Sequence, residues 1–229
     1  MPAAHKIKFC APAAPDGQTH IKFGGQPTWV GQPAWPLSRS TGKQMRFIAQ
    51  IDLSLVEGYS GSARWGYLFM TDPEDDYVDG TWEPEFGENC FVIGEDDSLG
   101  IEMTAKATGP SLYRMVGQPG ATRLKAKPAE FGVNLESREE PAFLPEAEIF
   151  ALSQDQQDAY AKATEGNKIG GTPNFLQGDE FPGNADDWLL VLQLDSASLP
   201  FSINFGDAGI GYAFVSRDGL RGRFLWQCC

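Results

Sequence analysis

Histidine is nearly missing from this chain: among 229 residues there are only His5 and His20. A Ser-His-Asp or Cys-His hydrolase needs a histidine beside its nucleophile. Neither histidine accompanies a nucleophile-elbow sequence, so no catalytic residue is assigned and a non-enzymatic role is favoured. The four cysteines, Cys10, Cys90, Cys228 and Cys229, show no Cys-x-x-Cys spacing, and no His-x-x-x-His pair accompanies them. That pattern gives no metal site and no cofactor. It also gives no dense disulfide framework, which makes a reducing cytoplasm the default compartment. No apolar run approaches the roughly 20 residues of a bilayer helix; the best, 188–194, is broken by Gln193. No continuous apolar stretch near residue 1 resembles a secretion signal.

Basic residues are scarce as well. The chain carries 18 Lys and Arg against 31 Asp and Glu, a net charge of -13. Gripping nucleic-acid phosphates depends on Lys and Arg, and anionic membranes attract the same side chains, so neither partner is expected. The deficit is local. Residues 65–105 contain twelve carboxylates and no Lys or Arg, while the remaining 19 acidic and 18 basic residues almost cancel. An EF-hand loop needs oxygen ligands, a Gly at its sixth position and a Glu at its twelfth. Starting at Asp72 puts Tyr77 where Gly belongs, and starting at Asp75 puts Phe86 where Glu belongs. Two readings then stay open for this segment. It is a solvated loop that keeps the protein in solution, or a surface for a basic partner formed by Asp72, Glu74, Asp75, Asp76 and Asp79, with Tyr77, Trp82 and Phe86 as aromatic anchors.

What the chain does have is self-similarity. Residues 22–36 (KFGGQPTWVGQPAWP) align with 168–182 (KIGGTPNFLQGDEFP), 47–52 with 190–195, and 61–69 with 206–214. Three ordered matches at nearly one offset predict two homologous half-units, 22–72 and 168–218, with a linking region 73–167, inside one domain spanning 1–229. In each half a Gly-Gly pair followed by Pro predicts a tight turn. The next block alternates as a strand, with Gln50 and Asp52 on one face and Gln193 and Asp195 on the same face of the second copy. Half-units this short cannot bury their faces alone, so they are expected to pack around an approximate two-fold axis. Ser153 with Gln156 forms a capping-box signal for a helix over 150–165 that stops at Gly166. The predicted fold is α+β, β-rich, with helix in the minority.

Lys22, Lys168, Gln50 and Gln193 form a symmetric polar set, to which Asp207, in a Gly-Asp-x-Gly turn, adds an acid. The set reads either as a ligand site near the pseudo-axis or as side chains that bind the Gly-Gly turns and cover aromatic faces. The ordered motifs Lys-Phe-Gly-Gly-x-Pro, Phe-Ile-Ala-Gln-Ile-Asp, Lys-Ile-Gly-Gly-x-Pro, Gly206-Asp-Ala-Gly209 and Phe224-x-Trp-Gln-Cys228 resemble the YwqG-like family, a bacterial family of unknown function. The resemblance implies a duplicated α+β fold and a genomic setting beside toxin systems, and it supplies no catalytic residues. The expected function is an immunity-like protein that neutralises a basic, toxin-type partner. The alternative is a small-molecule-binding protein or enzyme with its site in the cleft between the half-units.

Overall fold

The computed structural model describes residues 1–13, 18–72, 78–94, 100–117 and 125–229. In its first half the described chain forms β1 (Ala3–Cys10), β2 (Lys22–Gly24), β3 (Trp35–Pro36), β4 (Arg46–Asp52), β5 (Trp65–Met70) and β6 (Asn89–Ile93). The linking region adds β7 (Met103–Thr104), β8 (Tyr113–Val116), β9 (Lys125–Pro128), β10 (Glu130–Glu139), α1 (Glu146–Phe150) and α2 (Gln154–Thr164). The second half supplies β11 (Lys168–Gly170), β12 (Trp188–Asp195), β13 (Ile210–Ser216) and β14 (Gly222–Gln227). The molecule is thus α+β, mostly β, with two α-helices among the described residues. None of its described helices is long and apolar enough to cross a membrane.

Ten strands form one antiparallel sheet in the order β14-β13-β12-β11-β1-β10-β2-β4-β5-β6. The two half-units lie side by side in it, separated by the long β1·β10 pair, and the order of partners reads the same outward from that pair in both directions. The sheet curls until its edge strands β6 and β14 touch, an almost closed barrel. Gly222 permits that contact: a Cβ there would sit 2.0 Å from the Phe91 carbonyl oxygen. The barrel interior is a single apolar cluster that includes Phe23, Ile51 and Leu68 from one half-unit, Ile169 and Leu194 from the other, and Phe91 and Phe224 from the edge strands β6 and β14. Two smaller aromatic clusters cover other faces. One holds Trp35, Phe47, Tyr67 and Phe69 with Trp29 against it; the other holds Leu190, Tyr212 and Phe214 with Phe175 and Phe181.

Registers agree between the halves. Lys22 lies opposite Gln50 and Phe23 opposite Ala49; Lys168 lies opposite Gln193 and Ile169 opposite Leu192. A register shift falls between Phe47 and Ala49 in β4 and between Leu190 and Leu192 in β12. Strand alternation explains why apolar and polar residues separate across these strands. The expected single helix is two: α1 ends at Phe150, and α2 starts after Ser153, whose amide donates to the Gln156 side chain at 3.0 Å.

Candidate functional site

The paired glutamines are clamps. Gln50 accepts from the Thr28 amide at 2.8 Å and donates to the His20 carbonyl at 2.8 Å. Gln193 accepts from the Asn174 amide at 2.9 Å and donates to the Gly166 carbonyl at 3.0 Å. Both amides are completely buried, so each fixes the loop after its Gly-Gly-x-Pro turn with every polar atom engaged. Two tyrosines continue the pattern: the Tyr67 hydroxyl donates to the Thr28 carbonyl at 3.2 Å, and Tyr212 to the Asn174 carbonyl at 2.7 Å. Burial raises both phenols above their ordinary value. Asp52 and Asp195 each cap the turn that follows, accepting from the Ser54 and Ala197 amides at 3.0 Å. Burial alone would raise the Asp52 carboxyl, but hydrogen bonds from Arg64 and Ser54 outweigh it and leave it below the usual carboxylate value.

The two lysines differ. Lys168 is fully buried, and its ammonium donates to Glu140 at 2.7 Å, the Thr164 carbonyl at 2.6 Å and the Thr172 carbonyl at 2.5 Å. Glu140, also fully buried, accepts further bonds from Arg138 and from the Thr172 amide. Burial pulls Lys168 down to about 8, against the attraction of Glu140. Lys22 instead meets the half-exposed Glu130 at 3.4 Å. All three donor directions of the Lys168 ammonium are satisfied from within the chain, so it belongs to the packing. Asp207 is exposed, and its described hydrogen bond is that of its carbonyl with the Cys229 amide at 3.1 Å; no described contact joins it to either lysine. Glu140 was not singled out in the sequence, because one carboxylate inside Glu139-Glu140-Pro141 carries no pattern that separates it from a surface acid.

The acidic segment divides. Glu74, Asp75, Asp76 and Tyr77 lie outside the described residues. At its base, Asp72 pairs with Arg46, whose guanidinium lies 4.5 Å from the centre of the Tyr113 ring. Glu88 is buried and accepts from the Ser38 and Thr71 hydroxyls, both at 2.7 Å. Glu85 pairs with Arg223 of β14 at 2.7 Å. Trp82 is half-buried and packs edge-on against Trp226, ring centres 5.9 Å apart. Asp79, Glu83, Phe86 and Glu102 are exposed, and Asp79 accepts from the Gly80 amide at 3.0 Å. The chain also carries a complementary basic stretch: residues 103–129 contain five Lys and Arg and no acid. Among the described residues no cluster of His, Cys, Asp and Glu side chains has the makings of a metal site.

Between the halves lies a cleft of about 530 Å³, within the size range of ligand sites, walled by Val56–Gly58, Ala142, Phe143, Gly171–Pro173, Phe181, Trp188–Leu190 and Arg217. None of Lys22, Lys168, Gln50, Gln193 or Asp207 lines it.

This architecture, a curled antiparallel sheet with a matched clamp at each Gly-Gly turn, defines an α+β domain. The model of a family described as a domain of unknown function (DUF1963) matches residues 21–224, and the chain belongs to that family. No curated protein matches it.

Proposed function

We propose that this is a non-enzymatic binding protein of the immunity type, acting in the cytoplasm on a basic protein partner, and that its finer kinship is with YwqG-like domains, a name compatible with the family match. One observation carries the reading: the acidic excursion is fastened to the barrel at its root by Asp72–Arg46, buried Glu88 and Glu85–Arg223, while Asp79, Glu83 and Glu102 lie at the surface. A fixed root with exposed carboxylates presents one sign of charge from a rigid platform, which speeds encounter with a cation-rich surface and makes binding salt-sensitive. Trp82 leaves the set of contact residues in this reading, because it packs on Trp226, and Phe86 stays as an exposed aromatic anchor. The alternative of a small molecule held by the symmetric polar set is weakened by the engagement of Lys168, Gln50 and Gln193 within the fold.

The test is pull-down of the intact protein at low salt with identification by mass spectrometry. A basic protein should be retained, released by raised salt, and lost from a variant with Asp75, Asp76 and Asp79 changed to Asn. Asp72 is left intact because it neutralises Arg46. Recovery of no partner at low salt, together with unchanged protection of the host by the neutralised variant, would retire the proposal.

A further inference from the structure

The same strand edge is covered in one half and open in the other. Beyond its short pairing with β2, the edge of β4 is covered by the linking region. The Phe47 amide donates to the Pro110 carbonyl at 2.9 Å, and Phe47 pairs with Ser111 in parallel sense. Gln26 holds the incoming chain with two bonds to Gly109, 3.0 and 2.9 Å. Next to this crossing, the Ala129 amide donates to the Leu112 carbonyl at 2.9 Å, and Leu112 is buried in the main core.

In the second half Leu190 occupies the position of Phe47, with the same strand pairing and the same bulge after it. β11 reaches only as far as Leu192 and Gln193. Among the described residues no backbone segment other than β13 pairs with Leu189 or Leu190. Side chains of the fold take over the outlying bonds. Thr172, the counterpart of Gln26, donates its hydroxyl to the Pro141 carbonyl at 2.6 Å, and the Ala3 amide donates to the Glu57 carboxylate at 2.8 Å. Between these substitutes, beside Leu189 and Leu190, runs the cleft of about 530 Å³ with its apolar walls Val56, Phe143, Phe181 and Trp188.

We infer that this cleft is a docking groove for an extended segment of another polypeptide, which adds as a short parallel strand to the open edge of β12 and seats one apolar side chain between Val56, Phe143 and Phe181. The occupant is argued from the molecule itself: residues 109–112 of the linking region are what covers the matched edge of β4. An exposed strand edge with unpaired amide groups recruits an extended peptide through main-chain hydrogen bonds, while adjoining pockets select its side chains. The inference goes beyond the acidic surface and does not depend on it, since no residue of the excursion lines the groove.

The probe is a synthetic peptide of residues 108–113, Thr-Gly-Pro-Ser-Leu-Tyr, added in trans to the intact 15N-labelled protein. The amide signals of Leu189 and Leu190 should shift in a saturable way, with a dissociation constant between about 10 μM and 1 mM, while that of Phe47 stays in place. Ala142→Trp, at an exposed wall position, should weaken binding at least about tenfold without lowering the unfolding midpoint. Changing Asp75, Asp76 and Asp79 to Asn should leave peptide binding unchanged, which separates this proposal from that of the acidic surface. No shift at Leu190 with about 2 mM peptide, shifts confined to other sites, or undiminished binding by Ala142→Trp would each overturn it.

Discussion

Lys22 and Lys168 stand at the same register position of two equivalent strand pairs, opposite Gln50 and Gln193, yet they do different physical work. The Lys168 and Glu140 side chains are both sealed from solvent, whereas those of Lys22 and Glu130 keep 17% and 40% of their exposure. The source of the carboxylate explains the contrast. Glu130 sits within β10, directly opposite Gly24, and extends past Gly25 into solvent. Glu140 follows β10, where the Arg138 guanidinium donates to its carboxylate at 2.6 Å and the Thr172 hydroxyl holds the Pro141 carbonyl. Matching strand register therefore fixes where a side chain starts, and the segments that pass nearby decide whether it is buried, paired or left at an edge. Leu190 and Phe47 teach the same lesson from the backbone.

The largest expected difference between the halves comes from the lysines. Lys168→Met leaves Glu140 charged and buried with only part of its hydrogen bonding, at a cost of about 3–4 kcal/mol; Lys22→Met should cost under about 1 kcal/mol. Urea unfolding of the two variants measures both, and equal losses would break the comparison. Next come the second glycines of the turns. Gly25 and Gly171 have φ of +66° and +80°, and at either one a Cβ would lie 2.4 Å from the nearby glutamate. Glu130 can swing toward water and Glu140 cannot, so Gly25→Ala should cost about 1–2 kcal/mol from the backbone alone and Gly171→Ala clearly more. A thermal unfolding series on these two variants reads the gap.

The glutamines should show the opposite result. Gln50→Leu and Gln193→Leu each orphan backbone partners, and each should cost about 2 kcal/mol, Gln193→Leu slightly more because its amide also donates to the Thr164 carbonyl at 3.2 Å. A large inequality would mean that the clamps are not equivalent. A last contrast lies in pH dependence. With Lys168 at about 8 in the fold against 10.5 in the unfolded chain, the unfolded state holds more protons between those values, so stability from this group rises as pH climbs through that window. The advantage of wild type over Lys168→Met should therefore grow from pH 8 toward pH 10.5, and a flat difference would contradict the burial of the ammonium.

The sequence made the repeating elements visible and left their surroundings unread. Strands expected at 47–52 and 190–195 are β4 (Arg46–Asp52) and β12 (Trp188–Asp195), because alternation of apolar and polar residues is local and survives in a single chain. The central pair β1·β10 was not anticipated. Its alternation, as in Lys6-Ile7-Lys8-Phe9, is present but brief, and pairing across more than a hundred residues leaves no mark in sequence. Helix 150–165 was located, but the break before Ser153 was not. Of the candidate site residues, the role of Gln50 and Gln193 as turn clamps was one of two readings that the repeat itself suggested. The buried network of Lys168 depends on Glu140 and Thr172, which only tertiary packing brings together. The cleft was expected between the halves, but no sequence signal marks Leu190 as an open edge, since that depends on a segment which crosses one half and not the other.

The claim that two equivalent strand edges differ only in being covered is tested most directly by native-state hydrogen exchange of two amides in one sample of the free protein. Phe47, bonded to Pro110, should exchange roughly a hundredfold or more slowly than Leu190, whose edge faces the cleft. Equal protection of the two amides would mean that β12 is already covered, and the account of an open edge would be wrong.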